Sequence, residues 1–191
     1  MKNKIAAAVL IGGRSTRMGS PKEDMIVPGD KRTFLEKICD EVDAVYGEYI
    51  EARYLSVRKG QVRLREGWTS VADEYTDIGP MGGLIPVLKR ARDEGMEAVL
   101  LLACDMTSYD KEEISDICRA YRGESILWAR TDGKNIQPLA SIYRTDMLEG
   151  AVKMALLKEY RLRDLERYSG DTGFYDSSRS GAYINVNSLN G

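Results

Sequence analysis

The sequence predicts an α/β fold, a three-layer α/β/α arrangement with a mostly parallel central sheet. Short apolar runs alternate with helical patterns along most of the chain, and this alternation is typical of βαβ units. The runs at 5–11 and 98–103 are nearly all apolar, as expected for strands buried on both faces. The 191 residues suffice for one core, and no linker or repeat divides them. We therefore expect a single domain over residues 1–191.

The first half of the chain begins with the predicted strand at 5–11. A long loop follows over 12–32, which is rich in glycine, proline, serine and charged residues. A helix is predicted from Thr33 to about Tyr46, because Thr33 and Glu36 fit a capping box and apolar residues recur behind them at helical spacing. The next predicted elements are strands at 49–57 and 69–72 and a helix at 81–92.

The second half begins with the predicted strand at 98–103, whose sequence AVLLLA is the clearest strand pattern in the chain. The elements predicted to follow are a helix at 111–121, strands at 125–130 and 138–143, and a helix at 145–157. The segment 169–181 is rich in glycine, serine and aspartate, which predicts a mobile or substrate-facing loop.

The composition excludes several classes of function. A formal net charge of -2 gives no overall attraction for nucleic acid or membranes. No apolar run reaches the ~18–20 residues of a membrane span, and the start of the chain is a poor match to a secretory signal, so we expect a cytoplasmic protein. The chain contains no histidine, which excludes triads and dyads that use a histidine base. Its three scattered cysteines, Cys39, Cys104 and Cys118, are expected to be buried, reduced thiols.

A glycine-rich basic loop follows the first predicted strand, with the sequence GGRSTRMGSPK over residues 12–22. Glycines let backbone N–H groups approach phosphate closely, and Arg14, Arg17 and Lys22 add positive charge. The glycine spacing differs from both the Walker A loop and the dinucleotide fingerprint. The alternative is a flexible basic loop, but the position directly after a buried strand favours phosphate binding.

Two further places carry polar residues at predicted strand ends. Asp105 follows the strand at 98–103 and could offer an oxygen ligand to Mg²⁺ bound to phosphates, or it could serve as a turn or N-cap residue before the next helix. Asp73 opens the segment DEYTDIGPMGG, where Gly79-Pro80 gives a tight entry to a helix that could face a ligand. Asp73 could accept hydrogen bonds from a base or ribose, or the segment could be a connection made flexible by its glycines. At the chain end, Asn185 and Asn187 would share one face of a strand, where they could bind substrate or metal, or act as turn residues.

Taken in order, these segments resemble the molybdenum cofactor guanylyltransferase family (molybdopterin-guanine dinucleotide biosynthesis protein A). LIGGRSTRMGSPK (10–22) is similar to the family's LAGGxSxRMGxxK, and Asp73 followed by GPMGGL (79–84) is similar to its aspartate before GPLxGL. Cys104-Asp105 resembles the family's CD after an apolar strand. The segments QPLASIY (137–143), RLRDL (161–165) and INVN (184–187) resemble three further family segments. Thr107 stands where the family usually has proline.

The resemblance implies a Rossmann-like nucleotidyltransferase fold that transfers GMP from GTP to the terminal phosphate of molybdopterin and releases pyrophosphate, with Mg²⁺ as cofactor. The residues that it implies for nucleotide binding are Leu10, Ile11, Gly12, Gly13, Lys22, Asp73, Gly79 and Asp105. It implies catalytic roles for Arg17, Lys22 and Asp105, metal binding by Asp105, and contact of Asn185 and Asn187 with the acceptor. GTP and molybdopterin are the implied partners, and transient contacts with molybdoenzymes or cofactor chaperones are a further expectation.

Three alternatives share the same loop. Cytidylyl transfer to molybdopterin uses a similar loop, usually with Ala-Gly in place of Gly12-Gly13, and the extra glycine here favours a purine. Another nucleotidyltransferase with a small phosphorylated acceptor would also fit, as would a non-catalytic GTP-binding adaptor. Intact Arg17, Lys22 and Asp105 favour an enzyme over the adaptor.

Overall fold

The computed structural model describes residues 3–11, 21–75, 77–106 and 108–183. Its strands are β1 (Ile5–Leu10), β2 (Ile50–Val57), β3 (Thr69–Ala72), β4 (Ala98–Ala103), β5 (Ile126–Thr131), β6 (Asn135–Ile136), β7 (Ala140–Arg144) and β8 (Thr172–Asp176). Its α-helices are α1 (Phe34–Asp43), α2 (Pro80–Asp93), α3 (Lys111–Ala120) and α4 (Met147–Leu156). Short 3-10 helices lie at Lys22–Asp24, Leu162–Tyr168 and Ser180–Tyr183.

The strands form one mixed sheet in the order β3-β2-β1-β4-β7-β5-β6, with β8 paired to β5. The pairs β1–β2, β1–β4, β2–β3 and β5–β8 are parallel, and β7 lies antiparallel between β4 and β5. The central strands are therefore mostly parallel, as the sequence predicts. Because β1 has neighbours on both sides, its backbone is fully paired in the middle of the sheet.

The sheet is covered on both faces, which confirms the three-layer arrangement. Along β1, Ile5, Ala7 and Val9 pack in one core with α1 and α3, whereas Ala6 and Ala8 pack in a second core with α2 and α4. This division follows from the two-residue repeat of a strand, which sends successive side chains to opposite faces. A strand buried on both faces needs apolar residues at every position, and this explains the uninterrupted apolar run that β1 and β4 share.

Local signals explain where the helices begin. The Thr33 hydroxyl accepts a hydrogen bond from the backbone N–H of Glu36, and the Glu36 carboxylate accepts one from the backbone N–H of Thr33, so the predicted capping box is present. Gly79 precedes α2 with a φ of 61°, a conformation that favours glycine, and Pro80 fills the first helical position.

The predicted loop over 169–181 is wrong in its centre, because Thr172–Asp176 forms strand β8, parallel to β5. The glycine, serine and aspartate in and around it concealed three good strand formers, Thr172, Phe174 and Tyr175. Arg130 of β5 binds the Asp176 carboxylate with its Nε at 2.6 Å, which ties the end of β8 to its neighbour.

The structure changes the bounds of one further predicted strand, adds a short one, and confirms the prediction for the cysteines. The strand predicted at 138–143 begins at Ala140, and β6 was not predicted. The three cysteines are buried and free, as expected. Within the described part of the chain, none of the helices combines the length and the apolar character needed to cross a membrane.

Candidate active site

The carboxyl ends of the central strands meet at one edge of the sheet. Leu10, the last residue of β1, lies opposite Ser56 of β2 and Ala103 of β4. Ile11 continues this edge, because its backbone N–H donates to the Ser56 carbonyl at 3.1 Å. In open α/β sheets, ligands bind beyond such an edge. The residues after β1, β3 and β4 therefore lie where a ligand would bind.

Lys22 and Asp105 are the first pair of predicted residues that the structure brings together. Asp105 lies just beyond β4 and is buried, and its carboxylate forms an ion pair with the Lys22 ammonium. Lys22 begins the 3-10 helix at Lys22–Asp24, and a fifth of its side chain is exposed. Asp105 lies in a turn after β4, as one alternative predicts. The alternative role as a helix cap is wrong, because Asp110 caps α3 by accepting from the Glu113 N–H.

A buried carboxylate stands beside this pair. Glu23 is 1 % exposed, and its Oε1 accepts a hydrogen bond from Gln61 Nε2 at 2.9 Å. Burial raises the pKa of the Cys104 thiol to about 12, and the negative charges of Asp105 and Glu23 act in the same direction, whereas Lys22 opposes them. These charged groups thus share one environment around Cys104. Sequence reasoning missed Glu23, because a glutamate in a charged loop gives no sign that it is buried.

Asp73 lies just beyond β3, which strands β2 and β1 separate from β4 and the Lys22–Asp105 pair. Its backbone N–H donates to the Val57 carbonyl at 2.8 Å, and its Oδ1 accepts from the Ser56 hydroxyl at 2.9 Å. Burial raises the pKa of Asp73, while the Ser56 hydrogen bond and the charge of Arg58 oppose the increase. Ser56 is 1 % exposed and was also missed, although a serine among the apolar residues of β2 is a usable signal.

Gly83 brings α2 into close contact with this second cluster. A methyl group at Gly83 would overlap the Ser56 hydroxyl, and it would lie 2.6 Å from Leu10 Cδ2 and 3.5 Å from Asp73 Oδ1. Only glycine therefore allows the first turns of α2 to pack directly on the edge of the sheet. Together with Gly79, this places the N-terminal part of α2 beside Asp73, where the helix dipole favours negative charge.

The other predicted site residues, Gly12, Gly13, Arg17, Asn185 and Asn187, lie outside the described residues. Chain connectivity still links the first three to the site, since residues 12–20 join Ile11 to the segment that contains Lys22. The described site therefore has an acidic and basic pair after β4, a half-buried aspartate after β3, and the two ends of the glycine-rich loop between them.

A divalent cation fits the donor at Asp105. Its buried carboxylate already faces a positive charge, that of Lys22, and carboxylate oxygen is a ligand that Mg²⁺ prefers. The described residues hold no group of three or more His, Cys, Asp or Glu side chains around a common point. Since Mg²⁺ keeps water and phosphate oxygens as ligands, one protein carboxylate suffices.

The comparisons with known proteins agree with this arrangement. Residues 7–172 match the family model described as the MobA-like NTP transferase domain. A probable molybdenum cofactor guanylyltransferase from Opitutus terrae is 32% identical over 85% of this chain and 74% of the relative. Another from Mycobacterium marinum is 28% identical over 96% and 89%. The crystal structure of molybdopterin-guanine dinucleotide biosynthesis protein A from Archaeoglobus fulgidus superposes with a TM-score of 0.72 at 15% identity, over 95% of this chain and 92% of that one, and thus shares the fold.

Proposed function

The chain belongs to the MobA-like NTP transferase family of nucleotidyltransferases, and from this premise we propose that it transfers GMP from GTP to the terminal phosphate of molybdopterin. The single observation that supports the proposal most is the Lys22–Asp105 ion pair at the carboxyl edge of the sheet, at the exit of the glycine-rich loop. Both relatives in the comparison carry this activity in their names. We propose further that residues 1–191 act as one nucleotidyltransferase domain in the cytoplasm, with GTP and molybdopterin as partners.

In the proposed reaction, an oxygen of the molybdopterin phosphate attacks the α-phosphorus of GTP, and the bond from that phosphorus to the bridging oxygen of pyrophosphate breaks. The attacking oxygen is already ionised near neutral pH, because the second pKa of a phosphate monoester is about 6. No protein group has to remove a proton. Catalysis then consists of positioning and charge neutralisation, which a chain without histidine can supply.

We assign positioning and charge neutralisation to the site residues according to where each one lies. Leu10, Ile11 and the glycines that follow them would hold the base and phosphates, and Asp73 and Gly79 would contact the nucleoside. Lys22 and Arg17 would neutralise charge on the triphosphate.

Asp105 would hold Mg²⁺, which when bound would neutralise further charge on the phosphates. Asn185 and Asn187 would face the acceptor.

Titration calorimetry with GTP, CTP, ATP and UTP in the presence of Mg²⁺ tests the nucleotide half of the proposal. We expect selective binding of GTP that weakens in Asp105→Ala. A preference for CTP would replace guanylyl with cytidylyl transfer, and failure to bind any nucleotide would contradict the proposal.

Pyrophosphate release with saturating molybdopterin tests the other half. Asp105→Ala should abolish turnover without unfolding the protein, and Lys22→Ala should lower the transfer rate more than the affinity for GTP. Binding of GTP without pyrophosphate release would indicate a GTP-binding adaptor instead of an enzyme.

A further inference from the structure

Glu23 is a buried charge in an unusual place, the middle of a three-residue 3-10 helix in a polar loop. Its neighbours in that helix differ from it: Asp24 is exposed, and Lys22 is half-buried and forms an ion pair with Asp105. A carboxylate that is 1 % exposed loses most of its hydration, which is costly unless protein groups replace it. The partners of Glu23 therefore determine whether this turn can stay in its place.

The main partner is Gln61, which is itself held by two hydrogen bonds to Arg58. The Gln61 side-chain oxygen accepts from the backbone N–H of Arg58 at 3.2 Å, and its backbone N–H donates to the Arg58 carbonyl at 2.9 Å. These bonds form a turn directly after β2. The Gln61 side-chain amide then donates to the Glu23 carboxylate at 2.9 Å. Arg63, further along the same segment, lies 3.8 Å from the Glu23 carboxylate and 2.6 Å from that of Asp24.

This chain of contacts connects the central sheet to Lys22. The turn after β2 fixes Gln61, Gln61 fixes Glu23, and Glu23 is the next residue after Lys22. The short helix has little internal support. Two backbone hydrogen bonds close it, from the N–H groups of Asp24 and Met25 to the carbonyls of Pro21 and Lys22, each at 3.1 Å. A 3-10 turn of this length is not stable alone, so contacts outside the helix hold it. The Met25 carbonyl accepts from the Phe34 N–H at 2.9 Å at its end, and the side chain of Glu23 anchors its middle.

We propose that Glu23 and Gln61 are positioning residues that hold the Lys22 ammonium beside Asp105 and so aim it at the triphosphate. This inference rests on the proposed function for the role of Lys22. Neither residue needs to touch the substrate. A displacement of about 1 Å at a group that neutralises charge in the transition state can lower a rate on the order of 100-fold, so an anchor next to Lys22 has a direct route to catalysis.

Exchanging the two partners tests the inference. Gln61→Glu would place two carboxylates against each other and push the turn away. Adding Glu23→Gln restores an amide–carboxylate pair in reverse order. Asp24→Asn is the matched control, because it changes a charge in the same short helix, breaks only the exposed Arg63 contact, and leaves Glu23 unchanged.

Two readouts separate positioning from general stability. The first is the rate at which an amine reagent labels Lys22, followed by peptide mass spectrometry well below the melting temperature. We expect Gln61→Glu to raise this labelling rate about 3-fold, because the ion pair between the partly exposed Lys22 and Asp105 is lost. The second is the split between kcat and the dissociation constant for GTP with Mg²⁺. We expect kcat to fall roughly 10-fold and the dissociation constant to change by less than about 3-fold.

The double variant should restore both values, and Asp24→Asn should leave both unchanged. Unchanged labelling of Lys22 in Gln61→Glu, equal labelling in Asp24→Asn, or no recovery in the double variant would each overturn the inference. If the wild-type protein releases no pyrophosphate but labelling follows the expected pattern, the proposed function fails while control of Lys22 by Glu23 and Gln61 stands.

Discussion

Gly83→Ala adds one methyl group at the point where α2 packs on the sheet edge. That methyl would overlap the Ser56 hydroxyl and approach Leu10 Cδ2 to 2.6 Å. The end of Leu10 can turn away, but Ser56 lies in a buried strand and its hydroxyl is bonded to Asp73 at 2.9 Å. The substitution therefore has to break that hydrogen bond or shift α2.

The sign of the net effect follows from three contributions. Alanine is a better helix former than glycine, which stabilises by about 1 kcal/mol. Overpacking of a closed site costs about 1–3 kcal/mol, and loss of the Ser56–Asp73 hydrogen bond costs about 1 kcal/mol more. We expect a net loss of about 2 kcal/mol in the free energy of unfolding. For a chain of this size that lowers Tm by about 4–8 °C, and GTP affinity should fall with it because Asp73 is displaced.

Thermal and urea unfolding measure the loss, and calorimetry measures GTP binding. Gly181→Ala is the control, because Gly181 lacks a positive φ and nothing lies within 4 Å of its added methyl. Ser56→Ala in the Gly83→Ala background removes the overlapping oxygen. The two substitutions should therefore cost less together than the sum of their separate effects. A Gly83→Ala protein as stable as the wild type, or strictly additive effects in the double variant, would refute this account of the packing.

Three other perturbations test separate parts of the fold. Tyr183→Phe removes the hydroxyl that donates to the fully buried Glu113 at 2.6 Å, and should lower the urea-derived stability by about 2 kcal/mol; an unchanged midpoint would contradict it. Burial raises the pKa of Asp73 above 3.8 in the folded protein. Ionisation of Asp73 therefore costs more in the folded state than in the unfolded state, and stability is lost as the pH rises from 3.8 through the folded-state pKa. The stability advantage of Asp73→Asn should thus grow between about pH 3 and pH 7, and a pH-independent difference would contradict it. Asp43→Ala removes an acceptor of Arg65 at 2.7 Å, and should speed proteolysis of the loop that contains Arg65; unchanged cleavage would argue against this anchor.

The strands and helices of the two cores could be predicted because burial imposes a period on the sequence. Strands β3 and β4 have the predicted bounds, and β1, α1 and α3 differ from theirs by a few residues. Apolar residues alone decide β4, since every one of its positions is buried, whereas β3 buries only Val71. The capping residues Thr33 and Gly79 then mark the helix starts with local chemistry.

Strand order and edge strands could not be predicted in this way. The antiparallel position of β7 between β4 and β5 depends on which strands meet in space, and no local pattern records it. Strand β8 is at most half-buried, with Phe174 48% exposed, so its pattern was weak beside the glycine and serine around it. At the candidate site, motifs point to Lys22, Asp73 and Asp105, whose roles stay predictions. No motif points to Glu23, because its buried carboxylate is bonded to a side chain 38 positions away.

The Lys22–Asp105 pair explains how the site can keep both charged groups before a substrate arrives. A buried carboxylate and a mostly buried ammonium are each unfavourable alone, but each is compensated by the other. Under the proposed function, the triphosphate offers Lys22 a new set of anionic oxygens, and Asp105 then needs another cation, which is the role that the proposal gives to Mg²⁺. In this account the site would work by exchanging ionic partners. This is the kind of chemistry that remains open to a chain with no histidine.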